Sequence, residues 1–160
     1  MLFRSMEKLL RNEDRDKKKY ENSKVKDLAV YVEKFLYYEE VILGKSYNTV
    51  RSYRRDIYQF IDYLNEYEEI TKFDEVETIT VRSFIAYLNS GDKSRQSSTE
   101  SDGEKKEKPL SPVSKRSINR KISALRTFFK YLQEKQIVKI NKISYIATAK
   151  IGRASCRERV

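Results

Sequence analysis

The sequence predicts an all-α fold, a four-helix bundle with a long disordered loop between its third and fourth helices. Three observations carry that expectation. Apolar residues recur at helical spacing in four separate stretches. Only 4 Gly and 2 Pro punctuate 160 residues, too few for a turn-rich β fold. Charged residues make up 36% and apolar ones 39%, with 12 Tyr and 7 Phe, enough for one core of moderate size in a single domain.

Met1 to Asn22 holds a short apolar cluster (Leu2, Phe3, Met6, Leu9, Leu10) and then a charge run, which reads as an N-terminal extension fraying into solvent. Ser23 is placed to cap the first bundle helix, whose stripe of Val25, Leu28, Ala29, Val32, Phe35 and Leu36 runs on to a stop at Gly44. Ser46 caps the second, and Val50, Tyr53, Ile57, Phe60, Ile61 and Leu64 form its buried side up to about Tyr67. Thr78 or Thr80 starts the third, with Val81, Phe84, Ile85 and Leu88 inward. Residues 89–112 are rich in Ser, Lys, Glu, Gly and Pro and hold almost nothing apolar, so burial cannot offset their ordering entropy. They read as an insertion within one domain, because a three-helix bundle would leave the fourth helix's stripe uncovered.

The fourth helix, Arg116 to Leu132, is the most informative stretch. Ile118, Ile122, Leu125, Phe129 and Leu132, widened by Phe128, make its core face. The opposite face carries Arg116, Asn119, Arg120, Ser123, Arg126, Thr127 and Lys130. Between Lys108 and Tyr131 there are seven Lys or Arg and no acid, in a chain that holds 24 acids. An ordinary solvated face mixes in Glu; a face of long cations and short hydrogen-bonding side chains suits phosphates and base edges. The second helix presents a similar face of Asn48, Arg51, Ser52, Arg55 and Gln59, with Asp56 at its flank. The formal charge of +10 agrees with a polyanionic partner.

Several function classes are excluded. No apolar run reaches the length of a membrane span, and the first residues lack the apolar core of a secretory signal, so a cytoplasmic protein is expected. With one Cys and no His there is no disulfide framework, no Cys/His metal site and no His-based triad; no cofactor and no catalytic residue is expected in this chain. The last ten residues, Ile151 to Val160, change composition abruptly. Reverse translation as ATC GGA AGA GCG TCG TGT AGG GAA AGA GTG reproduces a widely used sequencing-library adapter, so this tail, Cys156 included, is expected to be an artefact that cuts the natural frame near Lys150. Without its three Arg and one Glu the formal charge is +8 in place of +10.

Two segments carry a family resemblance. Ser46, Thr49, Tyr53, Arg54 and Asp56 repeat a Ser-x-x-Thr helix start followed by Tyr-Arg-x-Asp, and Asn119 to Leu132 reads Asn-Arg-x-x-Ser-Ala-Leu-Arg-x-Phe-Phe-x-Tyr-Leu. In this order the chain resembles the amino-terminal core-binding, SAM-like domain of tyrosine recombinases and phage integrases, with the bacterial Xer recombinases nearest in pattern. The resemblance covers residues 25–150. It implies a core-binding domain over 23–140, the start of a linker at 141–150, and a separate catalytic domain outside this chain. There a Tyr attacks the scissile phosphate while Arg, Lys and His assist. It further implies that the second and fourth helices cross the major groove of a recombination half-site on double-stranded DNA. Self-association, or pairing with a related recombinase subunit, is implied on that DNA, in a bacterial or phage setting. Two departures stand out: the long 89–112 loop, and Lys142 after Asn141 where Asn-Pro is common.

The candidate DNA contacts are Thr49, Arg51, Ser52, Arg55 and Gln59 from the second helix and Arg116, Asn119, Arg120, Ser123, Arg126 and Lys130 from the fourth. Long cations near helix ends suit phosphates. Asn119, Gln59 or a central Arg suits base edges, each worth about 1 to 3 kcal/mol when bidentate. Lys121 and Arg54 sit nearer the flank, where they snorkel over the core edge. Two other classes fit the same pattern: a helical protein-interaction module whose basic face docks an acidic partner, and an integrase-derived regulator that binds DNA without cutting it.

Overall fold

The computed structural model describes residues 15, 18–90 and 113–148. Four long helices follow in order: α1 (Lys26–Tyr37), α2 (Tyr47–Tyr67), α3 (Thr78–Ser90) and α4 (Lys115–Glu134). Among the described residues there is no strand, as the composition requires. No helix among them is long and apolar enough to cross a membrane.

The bundle begins earlier than the sequence suggests. α1 starts behind Val25 with no side-chain cap, and Ser23 serves the preceding turn: its hydroxyl donates to the Tyr20 carbonyl at 3.0 Å. That turn inserts Tyr20 into the core, stacked on Tyr58 with centroids 5.5 Å apart, its hydroxyl donating to Asp62. The core therefore reaches upstream of the expected boundary at 23. The frayed helix expected over the first residues, like the artefact expected at 151–160, lies outside the described residues.

The first helix is also not continuous to Gly44. Its α-helical hydrogen bonding ends at Tyr37 and a single wide turn, Tyr38–Ile42, comes next, with the Leu43 amide donating five residues back to Tyr38. Glu39, four residues after Phe35, keeps the buried phase of α1, whereas Ile42 and Leu43, seven residues after Phe35 and Leu36, are turned outward by the extra residue. Gly44 then closes the element at φ 62°, a conformation that costs a residue with a Cβ about 1 kcal/mol. An added Cβ would meet nothing within 4 Å, so the penalty is conformational alone. Gly44→Ala is expected to lower the thermal midpoint by several degrees in circular-dichroism melts; an unchanged midpoint would mean that the turn relaxes freely.

Glu39 is 3% exposed and its Oε2 has no hydrogen-bond partner among the described residues. Burial raises its pKa above 4.5, with Lys45 opposing in part. A raised carboxyl pKa stabilises the fold below the unfolded value and loses that contribution as pH rises through the folded one. At neutral pH the ionised side chain is thus a net cost. Glu39→Gln should stabilise the domain by about 1 kcal/mol at neutral pH. The gain should vanish below pH 4.5, which melts at the two pH values will show.

α2 starts under the Ser46 cap, whose Oγ accepts from the Thr49 amide at 3.3 Å; α4 starts under Ser114, whose Oγ accepts from the Ser117 amide at 3.2 Å. α4 is longer than Arg116 to Leu132 at both ends, because the cap lies two residues upstream of Arg116. The core between helices is aromatic. Phe128 packs on Phe35 at 5.1 Å and edge-on against Phe73 at 5.2 Å.

The Val113 amide donates to the Leu88 carbonyl at 3.4 Å, so the chain leaves α3 and enters α4 at one point. Asn89 and Ser90, expected in the loop, complete α3; the rest of the 89–112 insertion lies outside the described residues. Beyond α4 Val138 is buried, and in the segment that follows, 141–148, Ile143 and Ile146 are buried as well, with the Thr78 hydroxyl donating to the Lys142 carbonyl at 2.9 Å. Asn141 Oδ1 accepts from the Ile143 and Ser144 amides at 3.2 Å, closing a local turn there.

Candidate nucleic-acid interface

The polar faces of α2 and α4 meet at one buried carboxylate. Asp56 is fully buried and accepts from Arg120 Nε at 2.9 Å, Arg120 Nη2 at 3.0 Å and Lys121 Nζ at 2.9 Å. Arg55 Nε stands 4.0 Å away on the other side. Charge-assisted bonds from three donors leave little of the carboxylate unsatisfied, which is the condition for burying it. Burial pulls the Lys121 ammonium below its ordinary pKa, while the hydrogen bond and charge of Asp56 pull it back.

A second pair lies on the α1 side of α2. Arg54 Nη1 and Nη2 donate to the two carboxylate oxygens of Glu33 at 2.7 and 2.9 Å, and the Tyr58 hydroxyl donates to the same group. Arg54 and Lys121 are therefore not snorkelling at the flank, and Asp56 is not a flank residue. The reason is positional. Asp56 is three residues from Tyr53 and four from Phe60, and Lys121 is three from Ile118 and four from Leu125, so both fall inside their helices' apolar arcs. A charged residue in such an arc on each of two helices is a legible sign of a buried pair.

The candidate contacts divide by exposure. Arg51, Arg55, Arg116, Arg120, Ser123 and Lys130 are exposed; Thr49, Ser52, Gln59, Asn119 and Arg126 are half-buried. The Thr49 hydroxyl is 3.0 Å from Ser46 Oγ, which places it in the cap. Thr127 donates to the Ser123 carbonyl at 3.0 Å, leaving the Ser123 side chain outside that bond. Arg126 Nε is buried with no hydrogen-bond partner among the described residues. Arg55 and Arg120 are brought together around Asp56. Arg116 and Lys130 stand about 21 Å apart along α4, the span of a 14-residue helical rise. Neither α2 nor α4 carries an acid in its first turn, so both helix N-termini keep their partial positive charge.

Known proteins with the same pattern are recombinases. Residues 32–101 match the family described as phage integrase, N-terminal SAM-like domain. A tyrosine recombinase XerC of Thermodesulfovibrio yellowstonii is 30% identical over 78% of this chain and 33% of its own length. A XerC of Natranaerobius thermophilus is 31% identical over 66% of the chain and 28% of its own. A XerD of Listeria monocytogenes is 30% identical over 63% of the chain and 27% of its own. The chain spans about a third of the length of the first of these relatives. No solved structure matches it significantly. With its helical bundle and this shared sequence, the chain belongs to the phage integrase N-terminal SAM-like family and is homologous to the Xer tyrosine recombinases.

Proposed function

We propose that this chain is the DNA-binding part of a site-specific tyrosine recombinase and holds one half-site of duplex DNA against the basic faces of α2 and α4. One observation carries the reading: Arg55 and Arg120, from different helices, stand at 4.0 and 2.9 Å from the same Asp56, making one cationic surface out of two faces. Six cations in the candidate set, Arg51, Arg55, Arg116, Arg120, Arg126 and Lys130, supply phosphate contacts; Gln59, Asn119 and Ser123 supply groups suited to base edges. Strand cleavage belongs to the part of the recombinase that this chain does not span. Related subunits, or further copies, occupy the neighbouring half-site in the bacterial cytoplasm.

The test is fluorescence anisotropy of a labelled duplex across a salt series. If most of the six cations meet phosphates, log K should fall against log salt with a slope of about −5. An inverted-repeat site should bind more tightly than scrambled DNA at the same salt. A slope near zero, or equal affinity for polyglutamate, would replace this reading with that of a protein-interaction module.

A further inference from the structure

Asp56 engages only one edge of the Arg120 guanidinium. Its fully buried carboxylate accepts from Nε at Oδ2 (2.9 Å) and from Nη2 at Oδ1 (3.0 Å), a side-on fork that uses one N–H of each nitrogen. A guanidinium holds five N–H donors in one rigid plane, so two on Nη1 and one on Nη2 remain along the edge turned away from the carboxylate. The Arg120 side chain is 44% exposed. Arg116 and Ser123, about one turn away on either side along α4, are exposed too.

The charges around the fork leave Arg120 cationic toward solvent. Lys121 Nζ donates to the same Oδ1 at 2.9 Å, and its side chain is only 8% exposed. Asp56 and Lys121 thus form a buried pair that is neutral within itself, and Arg120 is bonded to that pair without being cancelled by it. A carboxylate with Arg120 alone would fix the guanidinium and neutralise it. With a buried Lys alongside, the same carboxylate fixes a surface Arg that stays charged.

We propose that Asp56, charge-compensated by Lys121, is a positioning residue that fixes Arg120 so that its outer edge takes a pair of adjacent acceptors on duplex DNA. This rests on the DNA-binding reading of α2 and α4, and adds to it which cation is set in place before DNA arrives. A mobile Arg loses rotamer freedom on binding, whereas one already held by the fold has little left to lose. Two parallel N–H donors match O6 and N7 of a guanine in the major groove, and equally two oxygens of a phosphate.

The full chain is tested by fluorescence anisotropy on labelled duplex recovered by the wild type from a random-sequence pool, with each variant held where circular dichroism shows it folded. Arg120→Lys keeps the charge but cannot form the fork. Asp56→Asn with Lys121→Met removes the positioning pair, and because one negative and one positive charge go together the formal charge is unchanged. Each should weaken binding about tenfold, and combining all three substitutions should weaken it no further, because both changes break one contact. Effects that multiply to about a hundredfold would overturn the proposal, since Asp56 and Lys121 would then serve the fold alone. Affinity within twofold of the wild type in the Asp56→Asn, Lys121→Met variant would overturn it as well. Sequencing the pools distinguishes the acceptors: a guanine enriched by the wild type and lost in both variants marks a base edge, and identical pools with weakened binding mark a phosphate. One measurement needs no change at Asp56. In the free wild type the Arg120 Nε–H order parameter, its signal assigned by its loss in Arg120→Lys, should exceed about 0.6, and a lower value would overturn the proposal. A wild type that retains no duplex removes the DNA-binding reading itself, and this proposal with it.

Discussion

Asp56→Asn should lower the thermal midpoint of the domain by about 10 to 20 °C. The carboxylate is fully buried, and the Lys121 side chain bonded to it is only 8% exposed. Removing one partner of a buried pair strands the other charge and costs about 3 to 5 kcal/mol, which in a domain of this size moves the midpoint several degrees per kcal/mol. Arg120 adds little to this figure, because its side chain is 44% exposed and can turn to water. The loss therefore belongs to the Lys121 contact. Adding Lys121→Met to Asp56→Asn removes the stranded charge and should recover at least half of the lost stability. A single mutant within a degree or two of the wild type would mean that water reaches this site and the charges are not buried in solution.

Reversing two exposed cations, Arg51→Glu with Arg116→Glu, should weaken binding to duplex DNA about a hundredfold at low salt while leaving the fold intact. Both positions lie near helix N-termini, Arg116 in the first turn of α4 and Arg51 in the second of α2, where a carboxylate interacts favourably with the helix dipole. Stability is therefore held or slightly raised, which separates this variant from one that merely unfolds. Losing two phosphate contacts also removes about two units from the salt slope, so the two proteins should converge in affinity as salt rises. Affinity within twofold of the wild type at low salt would show that DNA does not meet these helix ends.

Helix positions and the identity of the fold are legible in the sequence because four amphipathic stripes and two Ser caps are local signals. Ser46 and Ser114 each cap a helix, and Val50 to Leu64 and Ile118 to Leu132 bury as their spacing requires. Features that depend on two elements at once are not legible in this way. Ser23 has the chemistry of a cap but is taken by Tyr20, whose stacking on Tyr58 can be decided only in three dimensions. Asp56 and Lys121 each fall inside an apolar arc, which signals a buried charge, but that these two are each other's partners is decided only when α2 and α4 are packed together. Residues 141–146 lack a helical period, so their burial against α3 has no signature to read.

The wide turn at Tyr38–Ile42 shows how little chain it takes to redirect a surface. Each added residue advances a helix by about 100°, so one extra position carries every later side chain roughly a quarter turn or more around the axis. Ile42 and Leu43, seven residues after the buried Phe35 and Leu36, face outward on account of that count and not of composition. Removing one residue between Tyr37 and Gly44 would turn Ile42 and Leu43 back toward the core without altering either amino acid. Length at this point is therefore as much a determinant of what the domain presents as sequence is.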